Sequence, residues 1–320
     1  AADRALEVDS DDLLRLIFIA CHPVLSMEAL AALALRLLGG LTTEEIGRAF
    51  LVPKATIAQR ITRDKRTLAA AQVPFEAPQD NERKARLESV LEVIYLIFNE
   101  GYAATAGETW VRPMLCEEAL RLGRIAAELM PEEPEVHGLV ALMEIHASHL
   151  RARVGVDGEP ILLMDQNRAL WDQLLIRRGL AALARAQRLG QAYGPYGLQA
   201  AIAACHARAR TADETDWPQI AALYEALAQM APSPVVELNR AVALARSYGP
   251  EVGLELVDLL LDEPALQKYH LLPSVRGDLL AKLGRLAEAR AEIERAAALA
   301  PNLRERGLLI ARAQALSEVS

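Results

Sequence analysis

Residues 41–68 read LTTEEIGRAFLVPKATIAQRITRDKRTL, and the spacing inside this stretch sets the character of the N-terminal part of the chain. Thr42 and Glu45 stand in capping-box register, hydroxyl to backbone amide and carboxylate back to the cap. Ile46, Ala49 and Phe50 then give a first short helix its buried stripe. Leu51, Val52 and Pro53 form a turn, with Pro53 placed to open a second helix. In that helix Ile57, Ile61 and Leu68 recur at helical spacing and are assigned to the core. Thr56, Gln59, Arg60 and Arg63 are left together on the opposite face. The pattern predicts a helix-turn-helix. Short polar and amide groups near the start of the second helix suit base edges, and guanidinium groups suit guanine or phosphate. Arg48, Lys54, Lys65 and Arg66 are better placed for phosphates, which set register without reading sequence. The alternative is a helical hairpin with a solvated charged face. Capping box, tight apolar turn and polar face within one stretch favour DNA binding over it.

Charge and composition extend the same picture. Thr42 to Leu68 holds six basic and three acidic residues, whereas the whole chain of 320 residues carries a net charge of −8. A small basic element on an acidic body suggests local contact with nucleic acid. Hydrophobic residues make up 52% and charged residues 24%, a globular composition; aromatics are only 4%, and Ala and Leu dominate. An all-α fold follows from that bias. The longest apolar candidate, residues 29–38, is short and contains Arg36, so no membrane span is expected. No basic-then-apolar leader opens the chain, and Cys21, Cys116 and Cys205 are too scattered for a disulfide framework or a metal cluster. A cytoplasmic protein without metal or cofactor is expected. The chain does not begin with Met, so it reads as a fragment or as trimmed at its front.

Outward from the helix-turn-helix, residues 1–72 read as one compact helical unit. Asp11 or Asp12 is placed to cap a helix ending at Ala20, His22-Pro23 breaks it, and a second helix from about Ser26 to Leu38 stops at Gly39-Gly40. A segment at 73–84 holding Pro74 and Pro78 reads as a linker, followed by a C-terminal unit at 85–320. Similar text marks three helix ends there: AELMPEEPEV from Ala127, AQMAPSPVVEL from Ala228 and AALAPNL from Ala297. Their prolines, Pro131, Pro232 and Pro301, are 101 and 69 residues apart, close to three and two periods of the tetratricopeptide length. The last unit fits best, through Gly277, Leu280, Gly284, Leu286, Ala289, Ile293, Ala296 and Pro301. Such repeats stack helix pairs around a concave binding surface.

Other residues carry weaker signals. His146 and His149, with Glu144 nearby, share a helix face, but no third or fourth metal ligand is evident, so polar groups in a helix interface are favoured. Asn99, Glu100 and Tyr102 sit where a helix reaches Gly101. They read either as capping with a satisfied Tyr hydroxyl or as a regulatory pocket shared with Asp165, Gln166 and Arg168. Cys205-His206 are helix neighbours whose side chains diverge, which favours a buried, inert thiol. There is no Gly-rich phosphate loop, GxSxG or HExxH, and catalysis is not expected.

Through these residues the chain resembles an extracytoplasmic-function RNA polymerase sigma factor. GGLTTEEIGRAFLVPKATIAQRITRDKRTL, from Gly39, is similar to region 4, which reads the promoter −35 element, and DDLLRLIFIACHPVLSMEALAALALRLL to the front of that region. YLIFNEGYAATAGE from Tyr95, LLMDQNRALWD from Leu162, LQAAIAACHA from Leu198, TDWPQIAALYEAL from Thr215 and SPVVELNRAVA from Ser233 resemble the subgroup with a long tetratricopeptide-like C-terminal extension. The resemblance implies promoter DNA and core RNA polymerase as partners, and a protein partner for the repeats. Nothing in the chain corresponds to region 2, which melts the −10 element, so sigma activity is implied for the parent protein and −35 recognition for this part. The alternatives are a repeat-based interaction scaffold with a vestigial helix-turn-helix and, with least support, an enzyme built on helical repeats.

Overall fold

A computed structural model describes residues 10–50, 52–73, 80–104, 109–190 and 193–318, and within them every regular element is helical. An isolated β-bridge joins Val154 and Pro160. The N-terminal part comprises α1 (Ser10–Ala20), α2 (Met27–Leu37), α3 (Thr43–Ala49) and α4 (Lys54–Ala70). Asp11 and Asp12 fall inside the first turn of α1, which begins at Ser10, so neither precedes the helix as a cap; Asp12 accepts from Arg15 instead. Ser26 is the N-cap of α2. The amide of Gly39 bonds the Ala34 carbonyl and that of Leu41 the Leu35 carbonyl, with Gly40 left-handed at φ 67°. A side chain at Gly40 would strain that helix end.

The capping box forms as read. The Thr42 amide donates to Glu45 Oε2 at 2.7 Å, and the Glu45 amide to Thr42 Oγ1 at 3.2 Å. Pro53, extended at ψ 139°, leads directly into α4. Gly47 lets α3 and the following turn approach, since a Cβ there would lie 2.6 Å from the Val52 carbonyl.

Eleven further helices follow: α5 (Asp80–Tyr102), α6 (Pro113–Leu129), α7 (Pro134–Ser148), α8 (Gln173–Leu189), α9 (Pro195–Arg208), α10 (Trp217–Met230), α11 (Pro234–Tyr248), α12 (Pro250–Leu259), α13 (Leu271–Lys282), α14 (Leu286–Leu299) and α15 (Leu303–Glu318). Many open on proline, whose missing amide is one the first turn leaves unpaired anyway. Pro131, Pro232 and Pro301 each follow the end of α6, α10 or α14, the three places where similar text recurs. Consecutive helices pack as pairs, and Gly179, Gly253 and Gly277 lie at close crossings. Residues 149–172 interrupt the series between α7 and α8 with short 3-10 turns.

Helix α5 begins at Asp80, inside the segment read as a linker, and residues 74–79 lie outside the described ones. Across the expected boundary between 1–72 and 85–320 runs one shared apolar core. It joins Ile17, Phe18, Leu30 and Leu33 to Leu87, Val90, Phe98 and Leu115. Polar links accompany it. Buried Arg86 donates to the Phe18 carbonyl at 2.6 Å, Arg121 to the Leu38 carbonyl, and Arg112 to the Ala49 carbonyl.

The C-terminal repeats also return to the first pair. Asn302 Nδ2 donates to the carbonyls of Ala104 (3.1 Å) and Thr109 (3.0 Å), and Arg304 Nη1 to that of Asp157 (3.2 Å).

Candidate functional site

The outer face of α4 carries the residues assigned to DNA. Ile57, Ile61 and Leu68 are buried, which turns the opposite side outward. Gln59 and Arg63 are exposed, the Arg63 side chain at 69%, while Thr56 and Arg60 are half-exposed. Ala58, Gln59, Thr62, Arg63 and Arg66 line a shallow groove along this face. Lys65 and Arg66 are exposed, and Lys54 reaches Glu44 at 3.6 Å. The Arg48 side chain lies outside the described residues. One residue of α4 escaped the sequence pattern. Asp64 is buried, and its Oδ1 lies 3.4 Å from Arg63 Nε. Its position three residues after Ile61 and four before Leu68 was the available signal.

The second group of candidates separates into cavity residues and structural ones. Gly101 lies within α5, where a Cβ would meet the Cys116 amide at 2.7 Å; the helix-end capping expected there is replaced by close packing against α6. Asn99 and Tyr102 line a cavity of about 520 Å³ with His146, His149, Arg153 and His206. Glu100 does not line it and pairs with Arg112. Asp165, Gln166 and Arg168 do not line it either. Gln166 accepts from Trp171 Nε1 and donates to the Ile161 carbonyl. Arg168 donates to the carbonyls of His206 and Ala209, both at 2.7 Å, and to Thr215 Oγ1. These three therefore do not share the cavity with Asn99 and Tyr102: Arg168 holds residues 149–172 against the end of α9, and Gln166 bonds within that segment. Arg168→Leu is expected to cost about 2–3 kcal/mol, since carbonyls bonded to a charged donor are left unpaired. Urea unfolding followed by circular dichroism reads that loss, and an unchanged midpoint contradicts it.

The cavity is built from α5, α7, α9, α10 and α11, with His149, Arg153 and Leu163 contributed by the interrupting segment and Tyr269 by the residues before α13. His149 is 3% exposed, its ring centre lies 3.9 Å from that of Trp171 with the planes tilted by 31°, and neither ring nitrogen has a bond. His206 Nδ1 is likewise buried without a partner. Burial, with lesser contributions from Arg153 and neighbouring histidines, pushes His146 down to about 4 and His149 to about 2. Burial, helped by Arg168, brings His206 to about 4. Neutral imidazoles are the result at neutral pH. The Arg153 guanidinium sits 3.7 Å from the Tyr102 ring centre and 5.4 Å from that of Trp110. Cys205 is buried with its thiol raised by desolvation and donates to Gln219, as befits an unreactive group. Among the described residues, no three His, Cys, Asp or Glu side chains gather to hold a metal ion.

The chain is 48% identical over 295 residues to an uncharacterized protein of Rhizobium meliloti (strain 1021), a match covering 92% of this chain and 69% of that protein. The chain belongs to that protein's family. Residues 86–187 match a family model described as "Family of unknown function (DUF6596)". In this family member the matched segment runs from Arg86 in α5 into α8. It therefore holds Asn99, Tyr102, His146, His149, Arg153 and Arg168, while α4 lies before it. Among the described residues no helix is long and apolar enough to cross a membrane.

Proposed function

We propose that the chain reads promoter DNA at the −35 element as region 4 of an extracytoplasmic-function sigma factor, with the helical repeats as its structural and regulatory support. The observation that carries this reading is the open outer face of α4. Gln59, Thr62, Arg63 and Arg66 stand clear of the repeats along one groove, while Ile57 and Ile61 anchor the helix from behind. A reading helix needs that division between an anchored side and an accessible one. Its polar and guanidinium groups suit base edges, and Lys54, Lys65 and Arg66 suit flanking phosphates. Core RNA polymerase is the expected protein partner on this reading. Because the face is open, control by the repeats runs through the stability and placement of α4, without covering it.

The test is selection from a pool of random-sequence duplexes, followed by anisotropy titration of the enriched duplex and a scrambled one. Arg63→Ala and Gln59→Ala are each expected to weaken binding to the enriched duplex by about 5- to 150-fold and to relax its sequence preference. Lys65→Ala and Arg66→Ala should weaken both duplexes alike and lower the salt slope by about 1 each. No enrichment, together with titrations indifferent to salt, defeats the reading and leaves a helical-repeat interaction scaffold in its place.

A further inference from the structure

Beside the cavity of about 520 Å³ lies a second, of about 750 Å³, and Arg153, Leu163 and Tyr269 line both. The two are thus neighbouring chambers that meet at the Arg153 side chain. Their chemistry differs. The first is the more polar, with His146, His149, His206 and Asn239 among its walls. The second is mostly apolar, walled by Ile161, Leu162, Leu271, Leu299 and Leu308. Each volume is within the range of small-molecule sites.

The cation at the junction has no ion pair. Among the described residues no carboxylate pairs with Arg153, and its Nε is buried without a hydrogen-bond partner. A guanidinium cannot shed its proton to relieve the cost of burial, so it calls for an anion. No surrounding group pairs with it. His146, His149 and His206 are held neutral, and burial raises Tyr95, Tyr102, Tyr224 and Tyr269. Glu305, on the wall of the second chamber, lies 2.9 Å from His270 Nε2 and does not pair with Arg153, and Lys268 is exposed to solvent. The half-exposed Arg153 guanidinium, hydrogen-bonded to Tyr102, is thus left without a carboxylate partner. Both ring nitrogens of His149, Nδ1 of His206 and Nε1 of Trp110 are buried and unpartnered on the chamber walls. Unsatisfied polar groups beside a cation without an ion pair are the features of a site shaped for a ligand.

We propose that the paired chambers bind a small amphipathic monocarboxylate, its carboxylate on the Arg153 guanidinium and its apolar body in the cavity walled by Ile161, Leu162, Leu271 and Leu299. A single charge is specified because a dianion would bring a second negative charge among neutral imidazoles. Arginine suits the carboxylate through paired N–H donors. Ligand binding would tie α5 and the interrupting segment to the C-terminal repeats, whose side of the second chamber includes Leu299, Pro301 and Leu308. This site stands apart from α4 and does not depend on the DNA reading.

Calorimetric titration of the full chain with decanoate tests it, with decanol and decyltrimethylammonium as uncharged and cationic counterparts. Decanoate should saturate one site, with both counterparts at least tenfold weaker. Arg153→Gln should remove that preference, lowering decanoate affinity at least tenfold and leaving decanol unchanged. Ala103→Trp keeps Arg153 and fills the apolar chamber, so it should also lose decanoate; it serves if Arg153→Gln does not fold. Equal affinity for decanoate and decanol, no saturation, or full decanoate affinity in a folded variant of either kind overturns the proposal.

Discussion

A chain ended after residue 73 is expected to show no cooperative unfolding transition, although it keeps α1 to α4 intact in sequence. The reason is the core shared across residues 74–79. Helices α1 and α2 rest on α5, and α1 also touches α6, with Phe18, Leu30 and Leu33 fully buried in the joint cluster. Uncovering even four such side chains costs roughly 6–12 kcal/mol, at about 1.5–3 kcal/mol each. That equals the whole stability of an ordinary domain, about 5–15 kcal/mol. The carbonyls of Phe18, Leu38 and Ala49 lose their arginine donors as well. Thermal melting by circular dichroism and amide dispersion in a nitrogen-15 spectrum check this. A sharp transition with dispersed amides in the short chain would show that the shared core is dispensable. The result also bears on function. Loss of DNA binding in a truncated chain would then report an unfolded α4, so point substitutions on the α4 face are the cleaner probe of reading.

The second large effect is on acid stability. In an unfolded chain a histidine titrates near 6.5, while in the fold His146 and His206 are held at about 4 and His149 at about 2. The folded state therefore binds fewer protons below pH 6.5. Stability is complete above that value and is lost as pH falls toward the folded values. Each histidine removes about 1.4 kcal/mol per pH unit across this window, and three together roughly 4 kcal/mol per unit. Unfolding in mild acid is expected, near pH 5 for a domain of ordinary stability. Arg153, placed over Tyr102, and Arg168, bonded to the His206 carbonyl, hold positive charge close to the rings and add to the effect. Urea midpoints between pH 7.5 and 4.5 measure the slope. His149→Gln and His206→Gln should each reduce it by about a third, whatever their effect at pH 7.5. An identical slope in both variants would place the acid sensitivity elsewhere.

Helix identity and the face of α4 were legible along the chain because both depend on local periodicity. The capping box at Thr42 and Glu45, the Gly40 stop and the burial of Ile57, Ile61 and Leu68 need only spacing and residue type, and the structure has each of them. Repeated Pro-marked helix ends pointed to paired helices for the same reason. Asp64 shows where this stops. Its register placed it with Ile61 and Leu68, yet residue type argued for the surface, and packing put it inside beside Arg63.

The candidate pocket divides along the same line. Asn99 and Tyr102 lie on the inner side of α5, whereas one further step around the helix turns Glu100 away to Arg112. Arg168 looked like a ligand group, but its partners are carbonyls 38 and 41 residues away, and no local pattern announces such pairs. Arg153 gave no signal at all. Its importance arises because α5, α7 and α9 surround it with neutral rings while residues from α13 to α15 close the far chamber. Short-range sterics and hydrogen bonding set helices, caps and turns, so the order of residues was sufficient for those. Burial of charge depends on which distant segments exclude water from a given atom, and only the folded arrangement of the helices determines that.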